Sequence, residues 1–329
     1  MHVLSSEQFT VEQMDSIFTR ASELRESIFD RSYRRELADK YKGAIAINLF
    51  YQPSTRTRTS FEVAQACLGI TPITTESARL FSSAAKGETL EDTIRVESEY
   101  PIDLIVLRHD KRGGADRAAA VSRVPVINAG DGTGEHPTQS LLDAFTIKEQ
   151  LGKLDNLNIV MGGDLRYGRT VRSLAHVLSK YPGNKITFVS IPELQVTDDI
   201  KGKLRESGTK YEETDDMREA FRHADGVYWT RLQLENIQLS ARKRIVKKLL
   251  GMNALFDTTR FNIGKKDLAY LPPESIILHP LPRVGEIETE VDQDPRAKYF
   301  RQAGNGPIIR IPLTEDALVN SYTEVAKVA

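Results

Sequence analysis

The sequence predicts an α/β protein of two domains, each a parallel β-sheet flanked by helices. Its 329 residues fit two domains of roughly 100–200 residues each. Short apolar runs alternate with segments of helical periodicity, a pattern typical of parallel sheets covered by helices on both faces. The alternation passes through one long helix and then restarts. We therefore expect a first domain at residues 1–149 and a second at residues 150–305.

The elements themselves are predicted from apolar spacing. A first helix follows Thr10, because Thr10 and Gln13 fit a capping box. The first series then has predicted strands at Ala44–Phe50, Leu104–Leu107 and Val124–Asn128, with helices at Thr55–Leu68 and Thr138–Gln150. The second series has predicted strands at Asn158–Met161, Lys185–Val189, Val227–Trp229 and Ile276–Leu278, with helices at Thr170–Lys180 and Asp215–His223. In such sheets ligands bind beyond the carboxyl ends of the strands, where the polar motifs of this chain stand.

Composition and charge argue against several classes of protein. With 45 basic and 46 acidic residues, the chain lacks the basic excess of a nucleic-acid-binding protein. Its one cysteine, Cys67, excludes an intrachain disulfide and a zinc site built from this chain's cysteines. The first residues lack a basic segment followed by an apolar one, and no stretch approaches about 18 apolar residues. We therefore expect no signal peptide, no membrane span and a cytoplasmic location.

The strongest candidate site is Pro53–Thr59, which follows a predicted strand and opens a helix. The first N–H groups of a helix have no internal partner and favour a phosphate. Ser54, Thr55 and Thr57 add hydroxyls, and Arg56 adds a guanidinium. The alternative is an ordinary helix cap, the commonest role of serine or threonine before a helix. Three hydroxyls interleaved with two arginines favour the anion site.

Three further motifs lie in the first half. Ser82–Thr89 is small and polar, and taken alone predicts a surface loop. Arg108 stands at a strand end, which is a modest indication of anion binding. His136 lies beside a predicted helix start and Gln139 one turn inside it. A lone histidine is most often structural, but this pair could polarise a carbonyl and bind an amide.

In the second half, Gly162–Arg169 follows a strand but lacks the spacing of a dinucleotide-binding motif. Arg169 and Arg231 both follow strands, and each could form a fork with a carboxylate. A substrate with two carboxylates would use both arginines.

Taken together, these segments resemble the aspartate/ornithine carbamoyltransferase family. The matching pieces run in order from Ser54 to Gly306 and are STRTR, SSAAKGET, LRH, NAGDG, HPTQ, GDLRYGRT, TRLQ, HPLPRVGEI and QAGNG. Ornithine enzymes typically carry a cysteine where Pro280 stands, and Arg231 and Gln233 suit a dicarboxylate, so the chain is similar to the aspartate branch. The resemblance implies transfer of the carbamoyl group of carbamoyl phosphate to the α-amine of L-aspartate, a step of pyrimidine biosynthesis, without metal or cofactor.

The resemblance also assigns roles to residues. It implies that the phosphate of carbamoyl phosphate is held by Ser54, Thr55, Arg56, Thr57 and Arg108, and that Thr57, Arg108 and His136 face its carbonyl oxygen. Its amino group is received by Gln139 and by the backbone of Leu281 and Pro282. Arg169 takes the α-carboxylate of aspartate, and Arg231 and Gln233 take the side-chain carboxylate. The candidate catalytic residues are Arg56, Thr57, Lys86, Arg108 and His136.

In the family, Ser82 and Lys86 come from the neighbouring subunit, so the resemblance implies a homotrimer with shared sites. Lys86 is also placed with the aspartate-binding residues, as is Leu281. Regulatory or dihydroorotase chains are possible partners; nucleic acid and membrane are not expected. Residues 306–329 are expected to pack back on the first domain.

Two positions depart from the family pattern. Gln52 replaces a glutamate that helps to bridge the domains, which weakens the expectation of cooperativity. Pro307 and Pro312 interrupt the last segment, and an internal proline costs about 3 kcal/mol, so we expect the last helix to be broken or to start near Thr314.

The alternatives to this function are a non-catalytic carbamoyltransferase-like subunit, a related enzyme with another amino substrate, and a nucleotide-dependent enzyme. The first would be favoured by loss of Arg56, Lys86, His136 or Arg231, and all four are present.

Overall fold

The structure is a computed structural model that describes residues 1–78, 87–232 and 259–325, with side chains described up to residue 319. It divides into two compact units. The first is formed by Met1–Phe145 and Gly304–Ala329, and the second by Thr146–Ala303. Each unit contains a parallel sheet flanked by helices, so the predicted fold class is confirmed.

The sheet of the first unit has four parallel strands in the order β2-β1-β3-β4. In chain order the elements are α1 Val11–Ser27, α2 Arg31–Asp39, β1 Ile45–Phe50, α3 Thr55–Cys67, β2 Thr71–Glu76, α4 Leu90–Glu97, β3 Leu104–His109, α5 Gly114–Ala119, β4 Val126–Asp131 and α6 Pro137–Leu151. Strands β3 and β4 are buried along their whole length, and β3 begins with the continuous apolar run Leu104–Leu107 that is typical of a buried parallel strand. The predicted capping box of α1 is present, because Thr10 accepts from the Gln13 N–H and the Gln13 side chain accepts from the Thr10 N–H.

The sheet of the second unit has five parallel strands in the order β7-β6-β5-β8-β9. The elements are β5 Asn158–Gly162, α7 Arg169–Leu178, β6 Lys185–Val189, α8 Asp198–Glu206, β7 Lys210–Thr214, α9 Met217–Phe221, β8 Gly226–Trp229 and β9 Ile276–Leu278. The last helix, α10 Tyr299–Val325, begins in this unit, and from Gly304 onward it belongs to the first unit. Trp229 anchors the core of this unit. Its indole N–H donates to the Phe261 carbonyl at 2.9 Å, and its ring makes a T-shaped contact with Phe221.

The expectation for the last helix is wrong, because α10 runs without a break from Tyr299 to Val325 with Pro307 and Pro312 inside it. Ile308, Ile309, Ile311 and Leu313 are each at most 3% exposed. Burying one such side chain stabilises the fold by about 1.5–3 kcal/mol, so the set outweighs about 3 kcal/mol for each internal proline. Tertiary packing therefore holds a helix that local propensity disfavours.

No helix among the described residues combines the length and the apolar character that crossing a lipid bilayer requires.

Candidate active site

In the first unit, three adjacent parallel strands end at one edge of the sheet. Strand β1 leads to Ser54, β3 carries Arg108 near its end, and β4 leads to His136. Phe50 pairs with Arg108 in the β1–β3 register, and the Tyr51 N–H donates to the Arg108 carbonyl at 2.8 Å. The topology therefore gathers these three predicted site residues at the edge where parallel sheets bind ligands.

The hydrogen bonds at the start of α3 bear on the two predicted roles of this motif, an anion site and an ordinary helix cap. Ser54 occupies the N-cap position, but its side chain makes no capping hydrogen bond. It donates instead to the Thr57 hydroxyl at 3.0 Å. By contrast, Thr10 caps α1 in the ordinary way, accepting from the Gln13 N–H at 3.2 Å. The hydroxyls at the start of α3 are thus arranged around the open first turn, which favours a bound anion over a simple cap.

The two arginines of this motif have different surroundings. Arg58 pairs with Glu62 at 3.1 Å and with Glu76 at 3.4 Å. Arg56 is exposed, and none of the carboxylates in residues 1–78, 87–232 and 259–319 forms an ion pair with it. Arg58 is therefore a structural arginine, while Arg56 is available to a ligand. Thr55 is exposed beside it, and Thr57 is 8% exposed.

Arg108 is buried, and its Nη1 group donates to the Ala129 carbonyl on β4 at 3.0 Å. This hydrogen bond fixes one end of the guanidinium across two neighbouring strands. A cation held in this way is preorganised for an anionic or polarised oxygen.

His136 is 3% exposed and directly precedes Pro137, the first residue of α6. Its carbonyl accepts from the Gln139 N–H at 2.9 Å. The Gln139 side-chain amide donates to Asp143 at 2.8 Å, which sets the orientation of that amide. His136 and Gln139 therefore lie together at one helix start, as the motif predicts.

A residue that sequence reasoning did not assign, Asp131, shapes the loop before His136. Its carboxylate accepts from the Gly113 N–H at 2.8 Å and from the Glu135 N–H at 2.7 Å. Burial raises the pKa of the Asp131 carboxyl above its ordinary value. The NAGDG motif contains Asp131, but its partner Gly113 is distant in sequence, so the motif alone could not reveal the contact.

In the second unit, β5, β8 and β9 are adjacent and end at one edge, and they lead to Arg169, Arg231 and Leu281. Arg169 is the first residue of α7. The turn before it requires glycine at position 163, where φ is +100° and a Cβ would lie 2.0 Å from the Thr230 carbonyl oxygen. Asp164 then accepts from the Tyr167 N–H at 2.9 Å. These contacts fix the turn that carries Arg169.

The loop after β9 is organised by two buried side chains that sequence reasoning did not assign, His279 and Glu286. The His279 Nδ1 atom accepts from the Leu281 N–H at 2.8 Å, so the ring proton is on Nε2 and donates to Glu286, also at 2.8 Å. Glu286 also accepts from the Val284 N–H at 2.8 Å. Burial raises the pKa of the Glu286 carboxyl, but the hydrogen bonds outweigh it, and the net pKa lies below its ordinary value.

This pair holds the Leu281–Pro282 segment, whose peptide bond is cis and whose Leu281 φ is 56°. The signal in the sequence was the HPLPRVGEI motif, which contains both His279 and Glu286. Three predicted site residues, Ser82, Lys86 and Gln233, lie outside the described residues.

Comparison with known proteins gives consistent matches over both units. The model of the carbamoyl-P binding domain of aspartate/ornithine carbamoyltransferases matches residues 1–149, and that of the Asp/Orn binding domain matches residues 155–313. The chloroplastic aspartate carbamoyltransferase of Arabidopsis thaliana is 48% identical over 96% of this chain and 77% of its own length.

Solved structures agree. The catalytic subunit of M. jannaschii aspartate transcarbamoylase superposes with a TM-score of 0.83 and 38% identity, covering 97% of this chain and 98% of the other. Aspartate transcarbamoylase from Trypanosoma cruzi, in complex with carbamoyl phosphate and aspartate, gives a TM-score of 0.82 and 32% identity, covering 97% and 94%. The chain belongs to the aspartate/ornithine carbamoyltransferase family.

Proposed function

We propose that this protein is an enzyme that transfers the carbamoyl group of carbamoyl phosphate to the α-amine of L-aspartate. The products are N-carbamoyl-L-aspartate and phosphate, a step of pyrimidine biosynthesis. The observation that carries the proposal is the start of α3, where Ser54 leaves the first turn uncapped and Arg56 has no ion-pair partner among the described residues. Relatives named for this reaction support the choice of substrates.

Carbamoyl phosphate is assigned to the edge of the first sheet. Its phosphate is held by Ser54, Thr55, Arg56, Thr57 and Arg108, with Ser82 and Lys86 completing the site. Its carbonyl oxygen faces Thr57, Arg108 and His136. Gln139 receives the amino group, together with the backbone of Leu281 and Pro282. The fixed Arg108 guanidinium and the oriented Gln139 amide support these roles.

L-Aspartate is assigned to the edge of the second sheet. Arg169 takes its α-carboxylate, and Arg231 with Gln233 takes its side-chain carboxylate; Lys86 and Leu281 also contribute. The fork of an arginine matches the two oxygens of a carboxylate. Because β5 and β8 are neighbours in the sheet, the segments that carry the two arginines begin side by side, which supports recognition of a dicarboxylate.

The mechanism follows from charge. The unprotonated α-amine of aspartate attacks the carbonyl carbon and forms the new C–N bond. The C–O bond to phosphate breaks, and the departing phosphate takes the proton that the amine loses. Negative charge then grows on the carbonyl oxygen and afterwards on the departing phosphate. Each preorganised donor aimed at that oxygen can contribute on the order of 10²–10³ in rate. Arginines supply the positive charge that the two anionic substrates need, so no covalent enzyme intermediate and no metal are required by this chemistry.

The protein acts as a homotrimer in this proposal, with Ser82 and Lys86 contributed across a subunit boundary. The domains are residues 1–149 and 150–305, with 306–329 packed on the first. Contacts within the first unit support the last assignment, since Lys40 donates to Glu315 at 2.8 Å. The cytoplasmic location and the regulatory or dihydroorotase partners stay predictions; the plant relative is named chloroplastic.

A bisubstrate inhibitor tests the proposal. A compound that joins a phosphonate to two carboxylates should inhibit release of phosphate from carbamoyl phosphate and aspartate. It should compete with carbamoyl phosphate, and a control compound without the phosphonate should bind far more weakly. Full activity at saturating concentrations of the inhibitor would show that the two anion sites are not used together.

A further inference from the structure

The buried guanidinium of Arg310 joins the two helices that start at the candidate carbamoyl phosphate site. Arg310 lies on α10 and is 2% exposed. Its Nη2 group donates to the Thr138 hydroxyl in the first turn of α6 at 3.3 Å, and its Nη1 group donates to the Ser60 hydroxyl on α3. A single side chain therefore reaches both helices.

On each helix the bonded hydroxyl is next to the site. The Ser60 hydroxyl donates to the Thr57 carbonyl at 3.0 Å. Arg310 is therefore linked through one side chain to Thr57, in the first turn of α3 that is proposed to bind the phosphate. Thr138 directly precedes Gln139. The guanidinium also lies 4.7 Å from the centre of the Phe61 ring, an arrangement favourable to a cation. A displacement of the Arg310 side chain would therefore change the positions of the first turns of both α3 and α6.

Within the described part of the chain, the charge of Arg310 is not matched by an acid in ion-pair contact. Among the ion pairs of the described residues, none includes Arg310. Burial lowers the pKa of its guanidinium to about 9, against the attraction of the Asp143 carboxylate, so the group is charged at neutral pH. A buried cation without a contacting anion opposes folding. An anion bound at the two helix starts would offset this cost.

The sequence makes room for this side chain. A Cβ at position 306 would lie 2.6 Å from the Arg310 Nη1 atom, so a larger residue there would displace the guanidinium. Gly306 is the last residue of the QAGNG motif, for which the proposed reaction gives no direct role. Its position is explained if the motif serves to seat the Arg310 guanidinium.

We propose that Arg310 is a positioning residue for carbamoyl phosphate: it aligns the starts of α3 and α6, and its buried charge couples phosphate binding to the stability of the first unit. The proposal rests on the proposed function, because it assumes that these helix starts bind the phosphate. Arg310 acts through its hydrogen bonds to Ser60 and Thr138 and through the electrostatic field of its charge, without contact to the reacting atoms.

The test measures thermal unfolding with and without inorganic phosphate, and steady-state kinetics, for the whole protein and its Arg310→Met and Arg310→Lys variants. Without phosphate, Arg310→Met should unfold at the same or a higher temperature than the original protein. Its phosphate-dependent stabilisation should fall to about half or less, and its KM for carbamoyl phosphate should rise on the order of tenfold, as for loss of one partly screened charge. Arg310→Lys should keep the phosphate-dependent stabilisation but lose kcat, since one ammonium does not reproduce the arginine fork.

Arg20→Met is the matched control. Arg20 lies on α1 and pairs at 3.4 Å with Glu315, which is on α10 like Arg310. It should retain the full phosphate effect. Equal phosphate stabilisation in Arg310→Met and the original protein would overturn the proposal, as would an equal loss of stability with and without phosphate. If Arg310→Met does not fold, loss of the phosphate effect in Arg310→Lys gives the contradicting result. Failure of the proposed function would appear separately, as an original protein that phosphate does not stabilise and that carbamoylates no aspartate.

Discussion

The Ser54 hydroxyl donates to the Thr57 hydroxyl at 3.0 Å, one turn along α3, where an ordinary N-cap serine would accept from a backbone N–H. Two hydroxyls are thus held as a pair at a helix start whose first N–H groups are open to a ligand. Thr89, at the start of α4, behaves in the ordinary way and accepts from the Asp92 N–H at 3.1 Å. The contrast within one chain supports the proposal that the start of α3 binds an anion.

The first prediction compares the two arginines of this motif. Arg56→Ala should lower kcat by about 10²-fold or more, because it removes a charged donor to the departing phosphate. Arg58→Ala should keep kcat within a few-fold and cost about 1 kcal/mol of stability or less, as for a partly exposed ion pair. Rate assays and denaturant unfolding of both variants check this. Equal loss of activity in the two variants would show that Arg56 is a solvated surface residue with no special role in the reaction.

The second prediction concerns Glu286, which holds the Leu281–Pro282 loop through His279. Glu286→Gln should raise KM for carbamoyl phosphate and reduce the free energy of unfolding near pH 7 by about 1–3 kcal/mol, the range for a buried hydrogen bond to a charged group. The folded pKa of Glu286 lies below its ordinary value of 4.5. Its stabilisation is therefore fully present above pH 4.5 and is lost as the pH falls through the folded pKa.

Unfolding curves over a range of pH measure this effect. The difference in stability between the original protein and Glu286→Gln should be constant near neutrality and should shrink in acid. A difference that grew as the pH fell would have the wrong sign and would refute the assignment of an ionised, hydrogen-bonded carboxylate.

The third prediction tests sharing of the site between subunits. Homotrimers of Lys86→Ala and of Arg56→Ala should each be nearly inactive. When the two are dissociated, mixed and reassembled, every hybrid trimer has one interface that joins an intact Lys86 to an intact Arg56. Random mixing of a cyclic trimer should then restore about one site in four. If activity stays at zero after subunit exchange has been verified by mass, Lys86 serves its own chain and the shared site is wrong.

The sequence predicted the buried strands, including β4 and β9 at sheet edges, and two partly exposed edge strands were missed. Strands β2 (Thr71–Glu76) and β7 (Lys210–Thr214) lie at sheet edges and are partly exposed along their length. Their polar sequences, TPITTE and KYEET, do not form the apolar runs from which the buried strands were predicted. The unbroken course of α10 was missed for a related reason, since burial within the first unit decides its structure where local propensity points the other way.

The residues of the candidate site also include some that the sequence could predict and some that it could not. Residues proposed to face a ligand, such as Arg56 and His136, stand in short motifs at strand ends, and their placement there could be predicted. Some residues that organise the site could not be predicted, because their contacts connect distant parts of the chain. Arg310 and Ser60 are 250 positions apart, and only the folded structure brings them together.

The most direct test of the account is the product formed from isotopically labelled carbamoyl phosphate in an equal mixture of L-aspartate and L-ornithine, analysed by mass spectrometry without added metal or nucleotide. We expect labelled N-carbamoyl-L-aspartate as the dominant product, because Arg169 and Arg231 provide forks for two carboxylates while ornithine has one. Labelled carbamoyl-ornithine in equal or larger amount, or no carbamoylated amino acid at all, would contradict it.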